Sequence, residues 1–247
     1  MSAKRQSKVL CQRAVPYELY KGLTFTTIWL EVNPRKKMLE GLCLCRAFLN
    51  LRMKRRTVMR NVLDCINAFI PLLSTEYELV LGRKGVSVTL RISFDKKDCF
   101  HLMGLQYLVD RPELSRDRGR VFDEIADGTI TIEKIESSDF YNKIEQRVHF
   151  LPLLEQMIDS NDTVFKYNKK ANMYSMIEAD YLMENNVESR NLFLFLSNDE
   201  GDNYFCRSFF PEEKMDYSKN QASWTLLYKK KIDLSTRIET VLYNRIK

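Results

Sequence analysis

Histidine occurs only twice in this 247-residue chain, glycine eight times, proline six times and tryptophan twice. Zinc sites are built from pairs of cysteines, or cysteines with histidines, and the only closely spaced pair here is Cys43 and Cys45. No metal or other cofactor is therefore expected. So little glycine and proline excludes a fibrous or low-complexity chain. No apolar run approaches the roughly 20 residues that a membrane helix needs; the best candidate, residues 42–51, is broken by Arg46. After Lys4, Arg5 and Lys8 only a short apolar stretch precedes Gln12 and Arg13, too little for the core of a secretory leader. The six cysteines, Cys11, Cys43, Cys45, Cys65, Cys99 and Cys206, are accordingly read as reduced thiols of a cytoplasmic protein.

What is present is globular: 45% apolar, 29% charged and 11% aromatic residues, too hydrophobic for a solvating tail. The formal charge of +6 is unevenly placed. Residues 1–60 hold 14 Lys/Arg against 3 Asp/Glu, whereas the remaining 187 residues hold 25 against 30 and are net acidic. A polyanion would have to be held there by a local basic cluster, not by overall charge. Texture also changes near residue 53. Residues 1–52 show no sustained period and read as a basic extension, either a non-native leader before a natural start at Met53 or a helical arm. Residues 53–247 read as a single domain.

Within that domain Val58, Val62, Ile66 and Phe69 or Ile70 recur at helical spacing. Residues 76–94 alternate as a hairpin whose loop, Gly82-Arg83-Lys84-Gly85, exposes two cations at its tip. Asp95 opens a helix with Phe100, Met103 and Tyr107 as its buried stripe, His101 at the stripe's edge, and Gly104 leaving room beside it. Residues 111–158 are helical, with turns at Asp127-Gly128 and Ser137-Ser138 and a break or kink at Pro152. His149 falls on the polar side.

From residue 163 strands take over, and residues 192–196 are apolar on both faces, as a central strand is. Residues 173–182 fit either a strand or a helix or turn opening with Ser175 and Glu178 as a capping box, and the latter is preferred. Arg207 shares a face with Phe205 and Phe209 in simple alternation. Two readings stay open for it: an ion pair with Glu178 or Asp180, or an anion site with Ser208 beside it. Trp224, Leu226 and Tyr228 alternate as one core face of a last strand.

The motifs LGRKG, FHLMGL, FKYNKKAN followed by SMIEADYL, FLFL, YFCRSFFPEEKMDYSK and TLLYKKKI occur in this order between about residues 77 and 232. Together they resemble a phage-associated branch of the barnase/EndoU/colicin/RelE-like nuclease superfamily, the fourth phage branch. The resemblance implies an α+β fold, with N-terminal helices and a β-hairpin packed against a largely antiparallel sheet formed by the C-terminal third. It implies a metal-independent endoribonuclease of phage or mobile-element origin, a toxin or host-takeover hydrolase cutting tRNA or mRNA. The matching polar positions are Arg83, His101, Lys166, Tyr167, Asn168, Lys169, Arg207, Ser208 and Thr225, with Lys84 beside Arg83 at the tip.

Such a set suits cleavage by the ribose 2'-hydroxyl, which needs a base, an acid and fixed positive charge where the phosphorane gathers negative charge. His101 serves as base or acid. Lys166 and Arg207 hold the phosphate, and Tyr167 or Ser208 orients it. Arg83, Lys84, Asn168, Lys169 and Thr225 contact the strand. The alternative is a non-catalytic relative that binds RNA or a host defence protein. Geometry separates the two, because an enzyme must bring His101, Lys166 and Arg207 into one open cleft, whereas an Arg207 locked to a carboxylate in a closed core would end the site reading.

Overall fold

The computed structural model describes residues 60–160, 163–172 and 175–246. The basic extension 1–52, Met53, Val58, Tyr174 and the cysteines Cys11, Cys43 and Cys45 lie outside the described residues. Cys65, Cys99 and Cys206 are buried free thiols. Among the described residues no helix is long and apolar enough to cross a membrane.

The first described helix, α1 (Val62–Phe69), starts where Asn61 and Asp64 cap it reciprocally: each side chain accepts the other's backbone N–H, at 3.0 and 2.8 Å. Val62, Cys65, Ile66 and Phe69 form its buried stripe, and Pro71 ends it by opening a 3-10 turn. The chain then enters the hairpin of β1 (Thr75–Arg83) and β2 (Val86–Ile92). Its loop is shorter than the expected four residues. Lys84 and Gly85 alone form it, with φ of 50° and 80°, the pair of positive values that a two-residue hairpin turn requires. Gly82 lies inside β1, where an added Cβ would come within 2.7 Å of Leu227 Cδ1, so its role is close packing and not the turn.

Five further helices follow: α2 (Lys96–Met103), α3 (Arg118–Ala126), α4 (Ile132–Glu136), α5 (Glu145–Phe150) and α6 (Leu154–Asp159). Pro152 separates the last two with a 3-10 turn. The remaining strands are β3 (Thr163–Lys166), β4 (Tyr181–Val187), β5 (Arg190–Asn198), β6 (Asn203–Pro211), β7 (Ala222–Asp233) and β8 (Glu239–Asn244). Residues 175–180, just before β4, are not helical. Ser175 caps nothing helical; its hydroxyl accepts from Tyr167 Oη at 2.8 Å and from the backbone N–H of Ile177.

The eight described strands form one mixed sheet in the order β1-β2-β6-β5-β4-β3-β7-β8, and pairing of β1 with β7 closes seven of them into a barrel. The expectation of a hairpin packed against a C-terminal sheet is thus corrected: the hairpin belongs to the sheet, because β1 pairs with β2 along one edge and with residues 225–233 of β7 along the other. The helices cover the face that carries Tyr77, Leu79, Leu90, Ile92, Met183, Leu194, Leu196 and Phe209, all at most 1% exposed. A smaller cluster of Tyr167, Leu182, Phe193 and Phe195 fills the other face. Residues 192–196 are fully buried between the two, as their unbroken apolar run requires.

Two irregularities open a cleft. The only parallel junction among the described strands, β2 with β6, consists of Arg91 opposite Asn203 and Ile92 opposite Tyr204. Beyond it β2 leaves the sheet through Ser93 and Phe94 into α2, which packs against the stretch of β6 that β2 has abandoned. The second irregularity is a bulge. Phe195 pairs with Ser208 and Leu196 with Cys206, leaving Arg207 without a partner across β5. A bulge re-aims the side chain of its extra residue. Simple alternation is therefore broken here, and Arg207 does not share a face with Phe209: it is exposed, while Phe209 is buried in the core beside the helices.

Candidate active site

The gap where β2 and β6 part is an open cleft of ≈ 430 Å³, walled by α2, the start of α3, the segment 176–178 and residues 205–208 of β6. It continues past Asp98 and Arg118 toward Ser93 and Asp199. Helix α2 supplies Asp98 and His101, three residues apart and so on one face. Asp95 caps this helix, accepting from Lys97 N–H, and Asp98 completes the box by accepting from Asp95 N–H at 2.9 Å. The helix stops at Gly104, whose φ of 83° lets its N–H reach back to the carbonyls of Phe100 and His101.

The half-buried His101 accepts at Nε2 from Arg118 Nη1. A guanidinium can only donate, so this contact requires a neutral imidazole with its proton on Nδ1. Electrostatics agree: burial, then the charges of Arg118 and Arg207, lower the His101 pKa below its usual 6.5. Asp98, 4% exposed, moves the opposite way. Burial pushes its pKa up from 3.8 to about 6, against the stabilising backbone N–H of Asp95. Cys206 also lines the cleft, but burial raises its thiol well above the usual range, so it is no nucleophile.

Arg207 has no hydrogen-bond or ion-pair partner among the described residues; Glu178 pairs with Lys169 at 3.0 Å and Asp180 with Lys166 at 3.4 Å instead. Ser208, next along β6, accepts from Arg147 Nη1 at 3.4 Å, and Arg147 also donates to the Phe209 carbonyl at 3.1 Å. Despite the net acidity of this part of the chain, Arg118 and Arg207 form a local cationic cluster in the cleft.

Of the residues singled out in the sequence, His101, Arg207 and Ser208 meet in the cleft. The others have different places. Lys166 reaches Asp180 and lies 4.3 Å from the centre of the Tyr181 ring. Tyr167 is buried at 5% exposure, its ring edge against Phe195 and its hydroxyl on Ser175. Asn168 caps the turn at Lys169–Ala171 and is tied through its backbone to Gln221. Arg83 and Lys84 sit at the hairpin tip, with Thr225 opposite Gly82 beside it. The seven residues of β2, about 23 Å at 3.3 Å each, separate that tip from Ser93 at the cleft. His149 is half-buried with its ring edge on Phe150, and it does not line the cleft.

Sequence reasoning missed Asp98 and Arg118. The first carried a signal, a carboxylate three residues before His101; the second carried none, because α3 approaches α2 only in the folded chain. Asp98 makes a testable mark on stability. A folded pKa above the unfolded 3.8 favours folding below pH 3.8 and is lost as pH rises through about 6. Asp98→Asn, which keeps an acceptor for Asp95 N–H, is expected to be more stable than the parent by about 1–3 kcal/mol at pH 8. The difference should shrink to about 0.5 kcal/mol at pH 4, as measured by urea melts at both pH values.

Among the described residues no three His, Cys, Asp or Glu side chains gather as metal ligands do. Comparison with known proteins gives one family: the model described as phage-Barnase-EndoU-ColicinE5/D-RelE like nuclease4 matches residues 61–245. No curated protein and no solved structure gives a match.

Proposed function

The chain belongs to this phage-associated nuclease-like family, and from that premise we propose that the cleft cuts RNA without a metal, by attack of a ribose 2'-hydroxyl on the adjacent phosphate. The observation that carries the reading is the convergence of a neutral histidine, a carboxyl poised near pH 6 and two arginines on one open cleft. In the proposed reaction the phosphate draws Arg118 off His101, freeing Nε2 to take the 2'-hydroxyl proton. The 2'-oxygen bonds to phosphorus as the bond to the 5'-oxygen breaks. Arg118 and Arg207 balance the charge of the phosphorane, and Ser208 Oγ offers a hydrogen bond. Protonated Asp98 gives its proton to the leaving 5'-oxygen. Asp98 as the acid takes the place of a second histidine, since His149 does not line the cleft. The products are a 2',3'-cyclic phosphate and a 5'-hydroxyl.

Mass spectrometry of the fragments tests this. Cyclic phosphate ends, together with complete resistance of an RNA carrying a single 2'-deoxy residue at the cleaved position, are expected. Fragments with 3'-hydroxyl and 5'-phosphate ends would contradict the reading, since water and not the ribose would then be the nucleophile.

A further inference from the structure

A helical stripe continued from Phe100 through Met103 would bury Tyr107, yet this ring is 43% exposed. The reason is Gly104: its left-handed turn ends α2, and the following 3-10 turn carries Tyr107 out to the rim of the cleft. The ring is nevertheless firmly backed. The Arg147 guanidinium lies over the Tyr107 ring, 5.7 Å from its centre, and over that of Phe210 at 4.9 Å, so the cation contacts both. Its bonds to Ser208 and the Phe209 carbonyl hold it there, and it has no carboxylate partner among the described residues. The column is tight, because a Cβ on Gly104 would meet Arg147 Cδ at 3.0 Å and Tyr107 Cδ2 at 3.1 Å. The same cleft is lined by Met176, 88% exposed, and by the exposed amide of Gln106.

Exposing a tyrosine and a methionine on the walls of one cleft wastes apolar surface unless something flat and apolar covers them. Resting on the proposed function, we infer that Tyr107 and Met176 form the platform for one unpaired nucleobase of the substrate, so that the enzyme acts on single-stranded or looped RNA and not on duplex. Aromatic side chains are the usual stacking surface for splayed-out bases, whereas the bases of a helix are stacked on each other and cannot reach such a wall. The amide of Gln106 both donates and accepts, which suits the edge of a base held there. The phosphate attached to that nucleoside then falls among His101, Arg118 and Arg207, in the same cleft.

The test is binding of an eight-nucleotide RNA made non-cleavable by 2'-deoxy residues and carrying 2-aminopurine at each position in turn. Wild-type protein should quench one position most, and Tyr107→Leu should weaken binding about tenfold and lose that quench. Tyr107→Phe should bind as the wild type does, and annealing the complement should weaken binding at least as much as Tyr107→Leu. Met176→Ala, at a largely exposed side chain that folding does not need, should weaken binding in the same direction. The inference is overturned if Tyr107→Leu and Met176→Ala bind normally, or if duplex binds as well as single strand, while Arg207→Ala abolishes binding. Normal binding by Arg207→Ala as well would remove the underlying reading of the cleft together with this one.

Discussion

Replacing His101 with alanine should lower cleavage by about 10²- to 10⁴-fold while leaving the melting temperature close to that of the parent. The side chain is half-buried at the end of its helix, and its one side-chain hydrogen bond among the described residues is to an exposed arginine, so the fold loses little with it. The proposed reaction loses its base. The pH profile of kcat/KM carries the finer prediction. In the proposed reaction His101 acts only when neutral, so activity should rise as pH passes its lowered pKa, somewhere below 6.5. Asp98 in the same reaction acts only when protonated, so activity should fall as pH rises through about 6. The result is a bell with a mildly acidic optimum. Asp98→Asn should remove its alkaline limb and most of the rate, and a profile still rising between pH 6 and 8 in the wild type would assign the acid elsewhere.

Gly104→Val should be the most damaging single change near the cleft. At φ of 83° a β-branched residue is strained by about 1–3 kcal/mol. Its Cβ would also press on Arg147 Cδ at 3.0 Å, Ile144 Cγ2 at 3.1 Å and Tyr107 Cδ2 at 3.1 Å, and overpacking of this kind typically adds about 1–3 kcal/mol. A total loss of roughly 2–6 kcal/mol follows from the two together. Urea denaturation measures it. Gly104→Ala meets the same contacts with fewer atoms and should fall between the parent and valine. A loss below about 1 kcal/mol for valine would mean that the turn relaxes freely and that Gly104 is not what sets Tyr107 and Arg147 in place.

Much of the fold was legible because local patterns and tertiary demands agree. Val62, Ile66 and Phe69 mark α1 by spacing, the hairpin alternates, and the two-faced apolar run at residues 192–196 announces a strand buried on both sides. What escaped depends on contacts distant in the chain. Pairing of β1 with β7 joins residues some 150 apart, and nothing in either strand names the other. Strand β8 is mostly exposed, so no apolar face advertises it. The segment around Ser175 satisfies a capping box on paper, but Tyr167 and Lys169 claim Ser175 and Glu178 first.

The lining of the candidate cleft was legible in the same uneven way. His101 and Arg207 stood out as polar groups among apolar neighbours. The bulge that frees Arg207 from the face of Phe209 is a property of two strands in register, and one strand's sequence does not reveal it. Tyr107 was misplaced because a helical period was carried past Gly104, the residue that ends it. Lys166, Tyr167 and Asn168 share the polar character of a site, yet an ion pair, a buried hydrogen bond and a turn cap account for each of them in turn.

The most direct measurement is cleavage of a tRNA mixture in excess chelator by the wild type, His101→Ala and Arg207→Ala, each checked for folding by circular dichroism. The account predicts that the wild type cuts undiminished by chelator and that both variants, fully folded, lose at least about a hundredfold in rate. Equal cutting by all three proteins, or activity that chelator abolishes, would contradict it.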